Sequence, residues 1–262
     1  MGAELVIDAV TIKRGELPVV RDVSLNCPEG QVTVLLGANG AGKTTLMDGV
    51  AGVIPVEHGT ITLDGQHVQR LARDRRAARG LAYVEQGRTV FAGLTVQENL
   101  AVAARGSRNV SRAYELFPEL QARKQVTAQM LSGGEQQMLV LARAIVSQPR
   151  VLLIDEMSQG LAPVIVKRMI PFVETAARSG IAVLLVEQFA ALALSIGVHA
   201  YVLSVGSIVL EGSCKDLLAR PDDVRHAYFA GDHDAHRGHD GASANAVPTA
   251  AASQPEQNGD SA

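Results

Sequence analysis

The stretch Gly37-Ala38-Asn39-Gly40-Ala41-Gly42-Lys43-Thr44-Thr45 constrains the fold of this chain more than any other. Its first eight residues fit G-x-x-x-x-G-K-[ST], between the apolar run Val32–Leu36 and a helical pattern that opens at about Lys43. Glycines in such a loop let consecutive backbone N–H groups turn inward around phosphate oxygens, and the following helix N-terminus adds positive potential. Lys43 then supplies a mobile charge for β/γ-phosphates, and the Thr44 hydroxyl is suited to Mg²⁺. A plain glycine turn explains neither the lysine nor the strand-to-helix setting.

Short apolar runs bounded by turn residues recur on both sides of this loop. Leu5–Ile12 and Val19–Leu25 read as strands separated by Gly15-Glu16-Leu17-Pro18, and Thr60–Leu63 as a strand closed by the hairpin signal Asp64-Gly65. Leu71–Arg79 reads as a basic helix with a solvated face. Helical patterns fill about 87–148, where Thr95 and Glu98 have capping-box spacing. Strand Val151–Asp155, helix Pro163–Arg178 and strand Ala182–Val186 alternate as in a parallel sheet, and Tyr201–Ser204 and Ser207–Leu210 form a last hairpin. The expected fold class is α/β, with a parallel core sheet around the phosphate loop.

Two further stretches carry chemistry. Val151-Leu152-Leu153-Ile154 ends in Asp155-Glu156, and the C-terminal end of a strand in an α/β sheet faces the ligand crevice. There Asp155 would hold Mg²⁺ and Glu156 would orient and polarise an attacking water. Leu131-Ser132-Gly133-Gly134-Glu135-Gln136-Gln137 starts a helix with Ser132 as N-cap, and its glycines at the positive helix end make a second anion site. One nucleotide has a single γ-phosphate, which Lys43 already covers. The economical reading is that Ser132, Gly133, Gly134 and Glu135 serve a nucleotide held by another subunit.

In this order and spacing the motifs resemble the ATP-binding subunits of ABC transporters, whose signature reads L-S-G-G-[EQ]-Q; the resemblance covers roughly residues 4–230. It implies a RecA-like P-loop core, an N-terminal antiparallel β subdomain and a helical insert at about 87–148. It implies ATP and Mg²⁺, held between the Walker A loop (Gly37–Thr45) of one subunit and the signature of a second placed head to tail. Gly37–Thr45, Gln86-Gly87-Arg88, Leu94–Leu100, Leu131–Leu139, Gly160–Pro163 and Val186-Glu187-Gln188 resemble one subfamily in particular, the ATPases of branched-chain amino acid uptake systems. That likeness implies permease subunits seated near Gln86–Phe91 and the helical insert, and indirectly an extracytoplasmic substrate-binding protein.

The same resemblance marks departures. Arg14 stands where the family usually places an aromatic that stacks on adenine; its guanidinium would stack instead, with Val20 as the alternative base contact. Glu85 and Met157 occupy usual proline positions. Gln86 matches the wider family's Q-loop, a contact to Mg²⁺ and the lytic water. Gln188 stands at the switch, a His in most members; its amide donates to a γ-phosphate oxygen but carries no proton. Phe189, where Asn is usual, is expected to fill the adjoining core. A regulatory cassette without turnover, or a non-transport ABC ATPase acting on nucleic acid or ribosomes, remains the alternative.

Composition bounds the rest. A net charge of −3 over 262 residues argues against nucleic acid as a partner, and no apolar run reaches the 18 residues of a membrane span. The expected location is cytoplasmic, peripheral on the inner face of the cell membrane through the permeases. Cys27 and Cys214 match no metal or redox spacing and read as buried thiols. The expected cassette spans 1–231; residues 232–262, rich in Ala, Ser, Gly and Gln, read as a disordered tail, with His233, His236 and His239 in a solvated setting.

Overall fold

Alternation of apolar and polar residues decides the first sheet. In β1 (Leu5–Arg14) the buried positions are Leu5, Ile7, Val10 and Ile12, a period of two with one slip. The slip coincides with a register shift against β2 (Leu17–Cys27) and a positive φ of 50° at Ala9, so a bulge returns the apolar face to the core. β4 (His58–Leu63) pairs with the other edge of β1, and β5 (Gln66–His67) closes the order β2-β1-β4-β5, antiparallel throughout. The computed structural model describes residues 4–104 and 110–229; the expected tail and its three histidines lie outside these.

The second sheet is built from strands buried on both faces, as continuous apolar runs require. β3 (Val32–Leu36), β7 (Val151–Asp155) and β8 (Ala182–Glu187) are buried at every position. With β6 (Leu81–Val84), β9 (His199–Ser204) and β10 (Ser207–Ser213) they give the order β10-β9-β3-β8-β7-β6, parallel except for β10. The antiparallel sheet and α1 (Lys43–Ala51) cover one face. The other face packs on α6 (Gly133–Val146), α7 (Pro163–Arg178) and α8 (Ala190–Ile196). α9 (Cys214–Ala219) and α10 (Pro221–Phe229) close the described chain.

The basic segment expected to be a solvated face holds a buried cation instead. α2 (Arg73–Ala78) carries Arg76 at 2% exposure, donating to the carbonyls of Gly49 (2.6 Å), Val50 (2.7 Å), Gln69 (2.8 Å) and Leu71 (2.9 Å). Gly49 and Val50 lie in the last turn of α1, where carbonyls lack intrahelical partners and the helix dipole is negative. Arg76 thus caps the far end of the helix whose near end is the phosphate loop.

The helical insert comprises α3 (Val96–Ala104), α4 (Val110–Leu116), α5 (Pro118–Ala122) and α6. Thr95 and Glu98 cap α3 reciprocally, as their spacing predicts. Fully buried Asn99 bonds the backbone N–H and carbonyl of Phe91 (both 3.0 Å) and the carbonyls of Leu94 and Thr95. This side chain ties the loop after Gln86 to the insert. Among the described residues no helix is long and apolar enough to cross a membrane. Cys27 and Cys214 are free and buried.

Candidate nucleotide site

The phosphate loop leaves β3, closes a turn through the Ala41 N–H on the Ala38 carbonyl (3.2 Å), and enters α1 with the helix's first donors uncapped. Gly42, the N-cap of α1, has φ 108°, and no side chain caps the helix. The first N–H groups of α1 therefore await an acceptor, as at phosphate-binding helix termini. Gly37 has φ 156°, and a Cβ there would meet the Leu203 carbonyl oxygen at 2.4 Å, so only glycine lets the loop pass β9. Lys43 is 4% exposed; its ammonium donates to the carbonyls of Gly37 (2.8 Å) and Ala38 (3.0 Å) and lies 3.4 Å from Glu156. A cleft of about 430 Å³ opens over the loop, lined by Asn39, Gly40, Lys43, Thr44 and Thr45 and by Gln86, Glu156 and Gln159 opposite. Ala41, by contrast, is buried.

Both carboxylates stand where β7 ends. Asp155 is 1% exposed; its Oδ2 is 3.5 Å from the Tyr83 hydroxyl, and its Oδ1 is buried without a hydrogen bond. Burial lifts its pKa to about 6; Glu156 and Asp48 add to the rise, and the Thr44 hydroxyl and Lys43 oppose it. A buried carboxylate oxygen without a partner, beside a threonine hydroxyl, is a hard-oxygen donor set that fits Mg²⁺. Glu156 follows in a left-handed conformation, φ 47°. Gln86 donates to Glu156 (3.0 Å) and to Gln159 (3.0 Å), which brings the Q-loop residue onto the carboxylate that follows β7.

The remaining expected residues sit around this centre. Arg14 donates from Nε to Thr45 (2.9 Å) and pairs with Asp48 (2.6 Å), so two contacts fix its guanidinium over α1. Val20 is fully buried in β2, which removes it as a base contact; Val19 lines the cleft instead. Gln188 is exposed just beyond β8. Phe189 is 62% exposed and does not fill the core: it is the N-cap residue of α8, at the rim rather than beneath it. Ser132 caps α6, accepting from the Glu135 N–H while Glu135 accepts from the Ser132 N–H at 2.8 Å. The Arg88 guanidinium lies against Gly133, where a Cβ would meet its Nη1 at 2.6 Å. Among the described residues no hydrogen bond or ion pair joins Ser132–Glu135 to the phosphate loop.

The sequence profile of the ABC transporter family matches residues 20–159. The high-affinity branched-chain amino acid transport ATP-binding protein BraG of Pseudomonas aeruginosa is 39% identical over 87% of this chain and all of its own length. The chain belongs to the ABC transporter family, as an ATP-binding domain. The lipopolysaccharide export ATP-binding protein LptB of Escherichia coli is 32% identical over 82% of this ATPase and 92% of its own length. Among solved structures, the ADP conformation of an ABC transporter cassette superposes with a TM-score of 0.76 at 22% identity. It covers 87% of this chain and 99% of that one, and supports the fold.

Four residues around the site of the ATPase take no role from the sequence motifs. Gln159 and Val19 line the cleft although neither lies in a recognised motif. Tyr83, on β6, reaches both Asp48 (3.3 Å) and Asp155, and burial followed by those carboxylates pushes its phenol far above the usual range. The fully buried Glu187 accepts from the Ser158 hydroxyl (2.6 Å) and N–H (3.1 Å). An acidic residue ending an apolar strand was the available signal for Glu187. For Val19 and Tyr83 there was none, since each reads as an ordinary strand residue.

Proposed function

We propose that this ATPase drives an importer for branched-chain or related amino acids, pairing head to tail with a second ATP-binding subunit and seating permeases on its helical insert. The observation that carries the reading is the likeness, over 87% of this chain, to BraG, a branched-chain amino acid transport ATP-binding protein. The likeness to LptB favours an export role as the second reading, at lower identity. A groove of about 410 Å³ lies where the core meets the insert, between Arg73 and Tyr83 on one side and Val102 and Ala103 on the other. Nearby, the half-exposed Phe91 ring stacks under Arg143 at 4.2 Å, an apolar and cationic seat for a short permease helix.

In the mechanism, the free N–H groups at the start of α1, with Asn39 and Gly40 of the loop and the Lys43 ammonium, bind the β/γ-phosphates. Arg14 stacks on the base and Val19 lines the cleft. Thr44, Gln86 and Asp155 would hold Mg²⁺, which supplies charge neutralisation at the phosphates. Lys43 exchanges the Gly37 and Ala38 carbonyls and Glu156 for phosphate oxygens, which releases the Glu156 carboxylate. Glu156, with Gln86, orients a water and takes its proton as the water oxygen bonds to the γ-phosphorus. The bond to the β–γ bridging oxygen breaks, and ADP and phosphate leave. Gln188 donates to a γ-phosphate oxygen, and Ser132–Glu135 of the second subunit close over the nucleotide. Hydrolysis reopens the pair, and the Gln86 loop carries the motion to the permeases.

The test is uptake of labelled leucine into proteoliposomes holding the assembled transporter and its binding protein. ATP-dependent uptake, lost with Glu156→Gln, is the expected result; ATP hydrolysis without uptake of any branched-chain amino acid overturns the substrate assignment.

A further inference from the structure

We propose that Glu187 is a positioning residue that links the switch residue Gln188 to the turn bearing Glu156, and so sets the aim of the catalytic carboxylate; this rests on the roles proposed above for Glu156 and Gln188. Glu187 is the last residue of β8 and pairs in register with Leu36, the residue before the phosphate loop. Its carboxylate is fully buried and, among the described residues, joins no ion pair. Both of its oxygens are instead committed to Ser158, one to the backbone N–H at 3.1 Å and one to the hydroxyl at 2.6 Å.

That pairing joins two segments 29 residues apart in the chain. The Glu156 N–H also reaches across to Val186 at 3.0 Å, so the 156–159 turn hangs on the end of β8 at two points. The turn needs such bracing. Glu156 has φ 47°, a left-handed conformation that strains a non-glycine residue and persists only where surrounding contacts over-determine it. From Ser158 the connection continues outward, because Gln159 accepts from Gln86 and Gln86 donates to Glu156. Gln188 follows Glu187 directly in the chain. A shift of Gln188 towards a γ-phosphate therefore moves Glu187, and two hydrogen bonds pass that movement to Ser158 and the turn.

A packing role would not select this residue. Burial raises the pKa of Glu187, the Glu156 charge adds to the rise, and the Ser158 bonds offset it only in part. A buried carboxylate that has hydrogen bonds but no counter-charge disfavours the folded state, so a glutamine would serve stability better. What the carboxylate alone provides is two acceptor oxygens for the two Ser158 donors.

The experiment compares Ser158→Ala, Ser158→Thr and Glu187→Gln with wild type for steady-state ATP hydrolysis, equilibrium ATP binding and melting temperature, with Glu156→Gln run alongside. Ser158→Ala and Glu187→Gln should lower kcat roughly tenfold to hundredfold, the loss that small misplacements of a reacting group produce, while KM and ATP affinity stay within about twofold. Ser158→Thr, which keeps the hydroxyl, should recover most of kcat, and Glu187→Gln should melt no lower than wild type. A kcat near wild type in both Ser158→Ala and Glu187→Gln overturns the inference, as does a kcat loss matched by loss of ATP affinity and melting temperature. If Glu156→Gln also turns over like wild type, the base assignment itself has failed; if it is slow while the others are fast, only the Glu187 inference falls.

Discussion

Replacing Asp155 by Asn asks whether the fold or the ligand needs this carboxylate. Asp155 is 1% exposed, its Oδ1 has no partner, and burial moves its pKa from 3.8 to about 6. At about 1.36 kcal/mol per pH unit, that displacement amounts to about 3 kcal/mol against the folded, ligand-free protein at neutral pH. The figure is an upper one, because the asparagine N–H₂ also needs an acceptor. The sign follows from proton binding. Between about pH 4 and pH 6 the folded state holds the Asp155 proton more tightly than the unfolded chain, so the stability linked to this group is full at low pH and lost as pH rises through about 6. Asp155→Asn has no such loss. Without nucleotide, its melting temperature should match wild type near pH 4 and exceed it near pH 7.5, by about 2–4 °C for each kcal/mol realised. Mg²⁺ with ATP should then stabilise wild type far more than the variant, and the variant should lose Mg²⁺-dependent hydrolysis. Thermal melts across pH, with and without Mg²⁺ and ATP, read all three. A variant that melts below wild type at neutral pH, or that keeps full hydrolysis, refutes the reasoning.

Two further outcomes concern the base and the γ-phosphate. Arg14→Ala should weaken ATP binding by about 0.5–2 kcal/mol, and Arg14→Tyr should preserve or tighten it, since a ring can replace the guanidinium on adenine; equal affinities in equilibrium titration would place the base elsewhere. Gln188→Ala should cost about 1–3 kcal/mol of transition-state stabilisation, and wild type should show a flat pH–rate profile from about 6.5 to 8. Gln188→His should acquire a pH dependence near the imidazole pKa. Wild-type activity of Gln188→Ala in the assembled transporter would remove this residue from the switch.

Much of the core is legible from patterning because it obeys local rules. Val32–Leu36 and Val151–Asp155 are strands at the bounds their apolar runs predict, and Pro163–Arg178 is a helix from its N1 proline to its last basic residue. Ser132 declares its helix as an N-cap, and Thr95 with Glu98 as a capping box. What stays hidden depends on tertiary neighbours. Arg76 reads as surface charge until the end of α1 is placed above it, and Leu81–Val84 is too short to announce an edge strand. Phe189 reads as core until the chain turns outward at Gln188. At the site, motif spacing indicates Lys43, Thr44, Asp155 and Glu156, which occupy fixed positions on one loop and one strand end. Val19, Tyr83 and Gln159 enter from segments brought together only by folding, and their residue types carry no signal of their own; Glu187 carries one, an acid ending an apolar strand, but its partner Ser158 does not.

The most direct measurement of the central claim is phosphate release by the purified ATPase, read beside ATP binding for wild type, Lys43→Ala and Glu156→Gln. Lys43 and Glu156 lie 3.4 Å apart in one cleft yet are assigned separate tasks, binding and proton abstraction. The account predicts that wild type binds ATP and releases phosphate, and that Lys43→Ala does neither. Glu156→Gln should bind ATP as wild type does while releasing phosphate at least about 10²-fold more slowly, and should collect as an ATP-bound dimer on size exclusion. Wild-type turnover by Glu156→Gln, or ATP binding by wild type without any phosphate release, would contradict it.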